Sequence, residues 1–261
     1  MKLLIADDQI SLHRYLDKVM NWGAMGFTEV QHAYDGEEAA AKVAAFHPDI
    51  LILDIHMPIL NGIESLKRVR QSGHSPKTII LSAYDEFEYA RDAIHLQVSR
   101  YLLKPVDAVQ LRNALEELIR ESEAAFRQTI GAELDRMLYT GEMEAEALQT
   151  IRKGFDFLGV DRFAVITYAD SATDGHYARW LKEQAAGAFK CAIAGKSKHG
   201  SVILVGGKNP LSGGMLRDFV ESLLHLPDAP CGSPPPIGIS SVAQDAAVLP
   251  QLIAESARAA A

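Results

Sequence analysis

Cysteine is scarce in this chain of 261 residues: there are two, Cys191 and Cys231. They form no C-x2-C pair and no framework of bridges, which excludes a thiolate zinc site and a disulfide-stapled scaffold. A basic excess is also missing. Lys and Arg number 26 against 34 Asp and Glu, for a formal net charge of −8. The deficit is shared evenly, with 13 basic and 17 acidic groups in residues 1–120 and the same numbers in residues 121–261. Neither half has the cationic footprint of a nucleic-acid surface. No apolar run approaches the roughly 20 residues that span a bilayer. The N-terminus reaches Asp7 after only four apolar residues, so no membrane contact and no signal peptide are expected, and the expected compartment is the cytoplasm. What remains is ordinary soluble composition, 48% hydrophobic and 23% charged, in a chain long enough for two cores.

Four short apolar runs in the first hundred residues each end on a polar group. They are Leu3-Leu4-Ile5-Ala6-Asp7-Asp8, Ile50-Leu51-Ile52-Leu53-Asp54, Thr78-Ile79-Ile80-Leu81-Ser82 and Tyr101-Leu102-Leu103-Lys104-Pro105. Runs this short and too continuous to alternate belong to strands buried on both faces of a parallel sheet. Parallel strands bring their C-terminal ends to one edge, where open α/β sheets bind ligands. Three carboxylates, a hydroxyl and an ammonium are therefore expected to meet there.

Three carboxylates about 5 Å apart repel by roughly 3 kcal/mol per pair at an effective dielectric near 20. Lys104 offers one compensating charge. A hard divalent ion, best Mg²⁺, which keeps several waters and bridges to phosphate oxygen, offers two more. A carboxylate beside Mg²⁺, a lysine and a hydroxyl is equipped to accept a phosphoryl group: Asp54 attacks phosphorus, while Lys104 and Ser82 stabilise charge on the transferred oxygens.

The constellation Asp7-Asp8, Asp54-Ile55-His56-Met57-Pro58, Ser82-Ala83, Tyr101 and Lys104-Pro105 resembles the receiver domain of two-component response regulators, over about residues 1 to 120. The resemblance implies a flavodoxin-like (βα)5 fold with sheet order 2-1-3-4-5. It makes Asp54 the phosphoacceptor, Asp7, Asp8, Asp54 and the main-chain carbonyl of His56 the Mg²⁺ ligands, Ser82 and Tyr101 the switch pair, Lys104 the phosphate partner and Pro105 a structural residue. It implies a sensor histidine kinase as partner. Each residue alone has a plainer reading: a helix cap for Asp7 and Asp8, a solvated strand end for Asp54, a loop hydroxyl for Ser82, a tight turn for Lys104-Pro105. No packing requirement places all of them at one sheet edge. A haloacid-dehalogenase-type phosphatase would want a second aspartate where His56 stands.

Helical patterns cover Ile10 to Trp22, Gly36 to Phe46, Gly62 to Gln71, Glu86 to Leu96 and Asp107 onward, and the mixed segment Thr28 to Ala33 reads as the edge strand. The last helix continues through Leu111, Leu115, Leu118, Ser122, Phe126, Ile130, Leu134 and Met137 to Gly141. Its heptad seam weakens at Ser122, Ala125 and Thr129, so it packs on its own second domain or on a second copy, making a homodimer through this helix or through the receiver face. A helix over Met143 to Leu158 follows, and residues 121–159 read as a helical linker.

Residues 160–261 read as strand Arg162 to Ala169, helix Tyr177 to Phe189, two strands within Cys191 to Gly206, helix Leu211 to Leu226, strand Ile237 to Ser240 and helix Leu249 to Ala260, a βαββαβ or ferredoxin-like α+β domain. The strand Ile237-Gly238-Ile239-Ser240-Ser241 and the following Leu249-Pro250 helix resemble the degenerate cyclase-like domain of receiver-containing AraC-type regulators. An active cyclase needs paired acidic residues on the central hairpin. Here it reads Gly195-Lys196-Ser197-Lys198-His199-Gly200, with no carboxylate for a catalytic metal. Gly206-Gly207-Lys208 lacks the rest of a P-loop. The expectation is a non-enzymatic response regulator with a transcriptional output, whose DNA-binding helix-turn-helix domain lies beyond Ala261 and which binds no DNA through these residues. A receiver-controlled cyclic-dinucleotide cyclase and a regulator acting only through protein contacts are the alternatives.

Overall fold

The computed structural model describes residues 1–83, 96–168, 176–197, 200–207, 211–223, 226 and 236–260. They form two compact units, Met1–Glu121 and Ser122–Ala261. In the first, strands β1 (Lys2–Ala6), β2 (Glu29–Ala33), β3 (Ile50–Asp54), β4 (Lys77–Ser82) and β5 (Arg100–Leu103) pair in parallel. Their order is β2-β1-β3-β4-β5, the expected flavodoxin-like arrangement.

Alternation along the strands divides the core. Leu3, Ile5, Ile50, Ile52, Ile79 and Leu81 meet Leu16 of α1 (Ile10–Val19) and Leu111, Leu115 and Leu118 of the long helix Ala108–Thr140. Leu4, Ala6, Leu51 and Leu53 meet Ala39, Val43 and Phe46 of α2 (Gly36–Phe46), and Leu66 and Val69 of α3 (Gly62–Gln71). With both faces covered, every strand position can be apolar, which is why the runs are continuous. Each fully buried Leu or Ile stabilises the fold by roughly 1.5–3 kcal/mol. β2 lies at the sheet edge, and only Ala33 in it is fully buried.

Caps fix the helix starts. Asp35 accepts from Glu38 N at 2.7 Å and Asn61 from Glu64 N at 2.8 Å, each worth about 1 kcal/mol. α1 stops at Val19, short of the expected Trp22: Met20 is extended and the Trp22 ring turns edge-on to Phe27. The helix expected over Glu86 to Leu96 lies outside the described residues, apart from Leu96.

In the second unit, β6 (Arg162–Tyr168), β7 (Cys191–Ser197), β8 (Gly200–Gly207) and β9 (Ile237–Ile239) form an antiparallel sheet in the order β7-β8-β6-β9. With helices His176–Ala188 and Gly213–Leu223 between strands, the topology is the ferredoxin-like βαββαβ. Those two helices cover one face, where Ala164, Ile166, Tyr168, Ile203 and Val205 meet Tyr177, Leu181, Leu216 and Leu223. The opposite face presents Phe163, Val165, Cys191, Ile193, Val202 and Leu204.

That second face corrects the expected boundaries. It is covered by Ile130, Leu134 and Met137 of the long helix, by Ile151, Phe155 and Leu158 of helix Ala145–Leu158, and by Leu249 and Leu252 of helix Leu249–Ala260. The segment read as a linker is therefore a layer of the second unit, because a βαββαβ sheet buries only one face with its own two helices. The apolar side chains that suggested a coiled-coil seam are consumed within the units. Among the described residues no helix is long and apolar enough to cross a membrane.

Candidate functional site

β3 lies between β1 and β4, so its last residue, Asp54, stands at the carboxyl edge of the sheet beside the residues that end its neighbours. Asp7 follows β1, Ser82 ends β4 and Lys104 follows β5. Asp7, Asp54 and Ser82 are buried and Asp8 is exposed. Lys104 reaches across the edge: its Nζ donates to Asp54 Oδ2 at 2.8 Å and lies 2.7 Å from Asp7 Oδ2. Asp7, Asp8 and Asp54 each offer a carboxylate oxygen, and the three lie within 4.8 Å of one another.

The local chain is shaped to hold this geometry. Asp7 N donates to Ala33 O at 3.1 Å, and Asp7 Oδ1 accepts from Gln9 N at 2.9 Å. The main-chain N–H of His56 bonds the Asp54 carboxylate, while the imidazole is exposed. Gly62 N donates to Ile55 O at 2.9 Å, folding the loop after β3 back on the strand. A Cβ on Gly62 would sit 2.0 Å from Asp54 O, so only glycine fits. Tyr101 is half-buried against Ile55, Ile63 and Ile80, and the Lys104–Pro105 peptide is cis.

Burial pushes the Asp54 carboxyl above its ordinary value; the hydrogen bond and charge of Lys104 oppose this and the Asp7 charge reinforces it. Burial alone would lower Lys104, but contacts with Asp54 and Asp7 outweigh it and hold the ammonium above its ordinary value. The site thus carries negative charge beyond what one lysine neutralises. Asp7 Oδ2 is buried, with the Lys104 ammonium 2.7 Å away as its charge partner. An all-oxygen set of three carboxylates with one lysine between two of them fits a hard divalent cation.

Two features were missed by reading the sequence. His13 is buried, and its Nε2 lies 2.8 Å from the main-chain oxygen of Asp7. Its spacing from Leu16 and Met20 on an amphipathic helix is the signal that marks it as inward-facing. Ile59, in the loop after Asp54, has φ 68 and is 76% exposed. Nothing in the apolar pattern distinguishes it from a core residue.

Residues 3–116 match the family model described as the response regulator receiver domain. Among curated relatives, the transcriptional regulatory protein YesN of Bacillus subtilis is 37% identical over 120 residues, covering 46% of this chain and 33% of the relative. The transcriptional regulatory protein HptR of Staphylococcus aureus is 38% identical over 119 residues, covering 46% of each. The match thus spans less than half the length of these relatives. Among solved structures, the REC domain of AraT, a response regulator from Geobacillus stearothermophilus, is 35% identical, with 48% of this chain and 96% of that one covered and a TM-score of 0.45. Over residues 3–116, less than half of the chain, the first unit is similar to response regulator receiver domains.

Proposed function

We propose that this chain is the phosphorylation-controlled part of a two-component response regulator, accepting a phosphoryl group on Asp54 from a sensor histidine kinase. The observation that carries this reading is the convergence of Lys104 Nζ on Asp54 and Asp7, with Asp8 completing a three-carboxylate cluster. Asp7, Asp8, Asp54 and the His56 main-chain carbonyl would hold Mg²⁺, which supplies positive charge to the transferring phosphoryl oxygens. A carboxylate oxygen of Asp54 attacks the phosphorus of a phosphohistidine. The new P–O bond forms as the P–N bond breaks, and the leaving imidazole keeps the electron pair and takes up a proton. Lys104 pairs with one phosphoryl oxygen and Ser82 donates its hydroxyl to another. The groove of about 440 Å³ beside Lys104, lined by Gln9, Leu12, Tyr15, Pro105 and Val106, is where the kinase segment would seat.

Drawing Ser82 toward the phosphoryl group and letting Tyr101 follow would bias the receiver face used for homodimerisation. The second unit is a non-catalytic, degenerate cyclase-like module of an AraC-type transcription factor; its hairpin lacks the carboxylates a cyclase needs. In a test with Mg²⁺ and a small acyl phosphate donor, Asp54→Asn should take up no phosphoryl group. Ser82→Ala should take it up yet dimerise less in response. Undiminished uptake by Asp54→Asn would remove the proposed acceptor, and equal dimerisation by Ser82→Ala would remove Ser82 from the switch.

A further inference from the structure

Behind the carboxylate cluster lies a second, imidazole-based network. His13, on the second turn of α1, is only 3% exposed, yet both ring nitrogens have partners. Nε2 is 2.8 Å from Asp7 O, and Nδ1 is 2.7 Å from Nδ1 of His32 on β2. His32 Nε2 lies 3.3 Å from Asp17 Oδ2, one turn along α1 from His13. The Tyr34 ring packs against His13 with centroids 4.8 Å apart. The main-chain oxygen of His32 accepts from Lys42, which is paired to Glu38 at 2.7 Å.

A carbonyl oxygen can only accept, so the bond to Asp7 requires the hydrogen of His13 to sit on Nε2. In the neutral ring Nδ1 then accepts, and His32 Nδ1 donates to it; a neutral His32 so arranged carries no hydrogen on Nε2, and Asp17 stands beside it as a nearby charge, not as a hydrogen-bond acceptor. Both tautomers and the His13 ring orientation follow from the Asp7 contact. An apolar side chain would fill this position on α1 with no hydrogen-bond requirement, whereas a buried imidazole left unpartnered is costly. The network ends on the main chain of a carboxylate in the candidate metal cluster. Asp7 N, held by Ala33 O, fixes the peptide before Asp7, and Asp7 O, held by His13, fixes the peptide joining Asp7 to Asp8.

We propose that His13 is a positioning residue for the divalent-cation site. Its Nε2–H fixes the Asp7–Asp8 peptide, with His32 holding the ring, so that the two adjacent carboxylates are presented together to one ion. The proposal rests on reading Asp7, Asp8 and Asp54 as ligands of that ion. Outer hydrogen-bond partners of metal ligands commonly control affinity by 10- to 100-fold. The two hard cations also respond differently to misplacement. Mg²⁺ demands near-ideal octahedral geometry, whereas Ca²⁺ tolerates irregular sites. Loss of positioning therefore lowers Mg²⁺ affinity more than Ca²⁺ affinity, while general destabilisation lowers both alike.

The test is calorimetric titration of the full chain with Mg²⁺ and, separately, with Ca²⁺, alongside thermal melts in EDTA to confirm folding. His13→Ala should bind Mg²⁺ about 10- to 100-fold more weakly, with a smaller loss for Ca²⁺. His13→Gln, whose amide N–H can donate to Asp7 O, should recover most of the Mg²⁺ affinity. If His13→Ala does not fold, His32→Gln, which leaves the Asp7 contact in place but unbraces the ring, should show the same preferential Mg²⁺ loss at smaller size. Wild-type Mg²⁺ affinity in His13→Ala, equal losses for both cations, or a His13→Gln variant as weak as His13→Ala would each overturn the proposal. Asp8→Ala separates the two levels: its Mg²⁺ binding should fall, and if it does not, the metal reading itself fails and the proposal with it.

Discussion

Asp54 is held in the protein at a cost to its own ionisation. Burial raises its pKa despite Lys104, and a carboxyl whose folded pKa is raised stabilises the fold most below its unfolded pKa. That contribution disappears as pH rises through the folded pKa. The chain in EDTA should therefore lose stability across that acidic window, and Asp54→Asn should lack that part of the pH dependence. Thermal melts of both proteins over the acidic range check this; parallel curves would show that Asp54 is not strained by its charge. Ile59 makes a second prediction at this scale. A β-branched residue in the left-handed region costs roughly 1–2 kcal/mol, and this one is mostly exposed. Ile59→Gly relieves that strain but gains freedom in the unfolded chain, so a net stabilisation of about 0.5–1 kcal/mol is expected in denaturant titrations. An unchanged or lower midpoint would mean that the strain is absent.

At the scale of elements, the strands that carry the site were legible because their chemistry is local. A continuous apolar run ending in Asp, Ser or Lys names both a doubly covered strand and its functional end, as Ile50 to Asp54 does. What could not be read was contact between distant elements. His13 is one residue of a helix until β2 brings His32 to it, and Gly62 is a helix-start glycine until Asp54 O closes over it. The helices over 122–158 looked like a linker because their apolar stripe does not announce its target. The target is the sheet face of Phe163, Val165, Ile193, Val202 and Leu204. A fragment of residues 160–261 would expose that face, so it should aggregate or bind hydrophobic dye, whereas residues 122–261 should unfold cooperatively. Cooperative unfolding of the shorter fragment would restore the linker reading. Within the same unit, Gly238→Ala should destabilise by about 1–3 kcal/mol, because the added Cβ would lie 1.8 Å from Ser256 O on the closing helix.

For the whole molecule, charge argues about partners more than about fold. With 34 acidic against 26 basic groups, neither half of the chain has the basic excess that favours displacing counterions from DNA phosphates. The described helices of the second unit, apart from their exposed sides, are engaged on its two sheet faces. Specific duplex binding by these 261 residues is therefore not expected, phosphorylated or not, and competitor-resistant retardation of promoter DNA would show that the second unit has an output role of its own. The strand-end residues Asp7, Asp54, Ser82 and Lys104 were legible because each directly follows or closes a continuous apolar run. The second unit gave up its topology but not its role, since packing a ferredoxin-like sheet requires only apolar alternation.

The central claim, that Asp54 is the phosphoacceptor of a Mg²⁺-dependent site, is tested most directly by mapping the adduct on the wild-type chain. After incubation with acetyl phosphate, borohydride reduction converts an aspartyl phosphate to homoserine, which peptide mass spectrometry locates by residue. With Mg²⁺ present, homoserine should appear at position 54 and nowhere else, and EDTA should abolish it. Homoserine at another aspartate, or at position 54 in equal yield without the metal, would contradict the account.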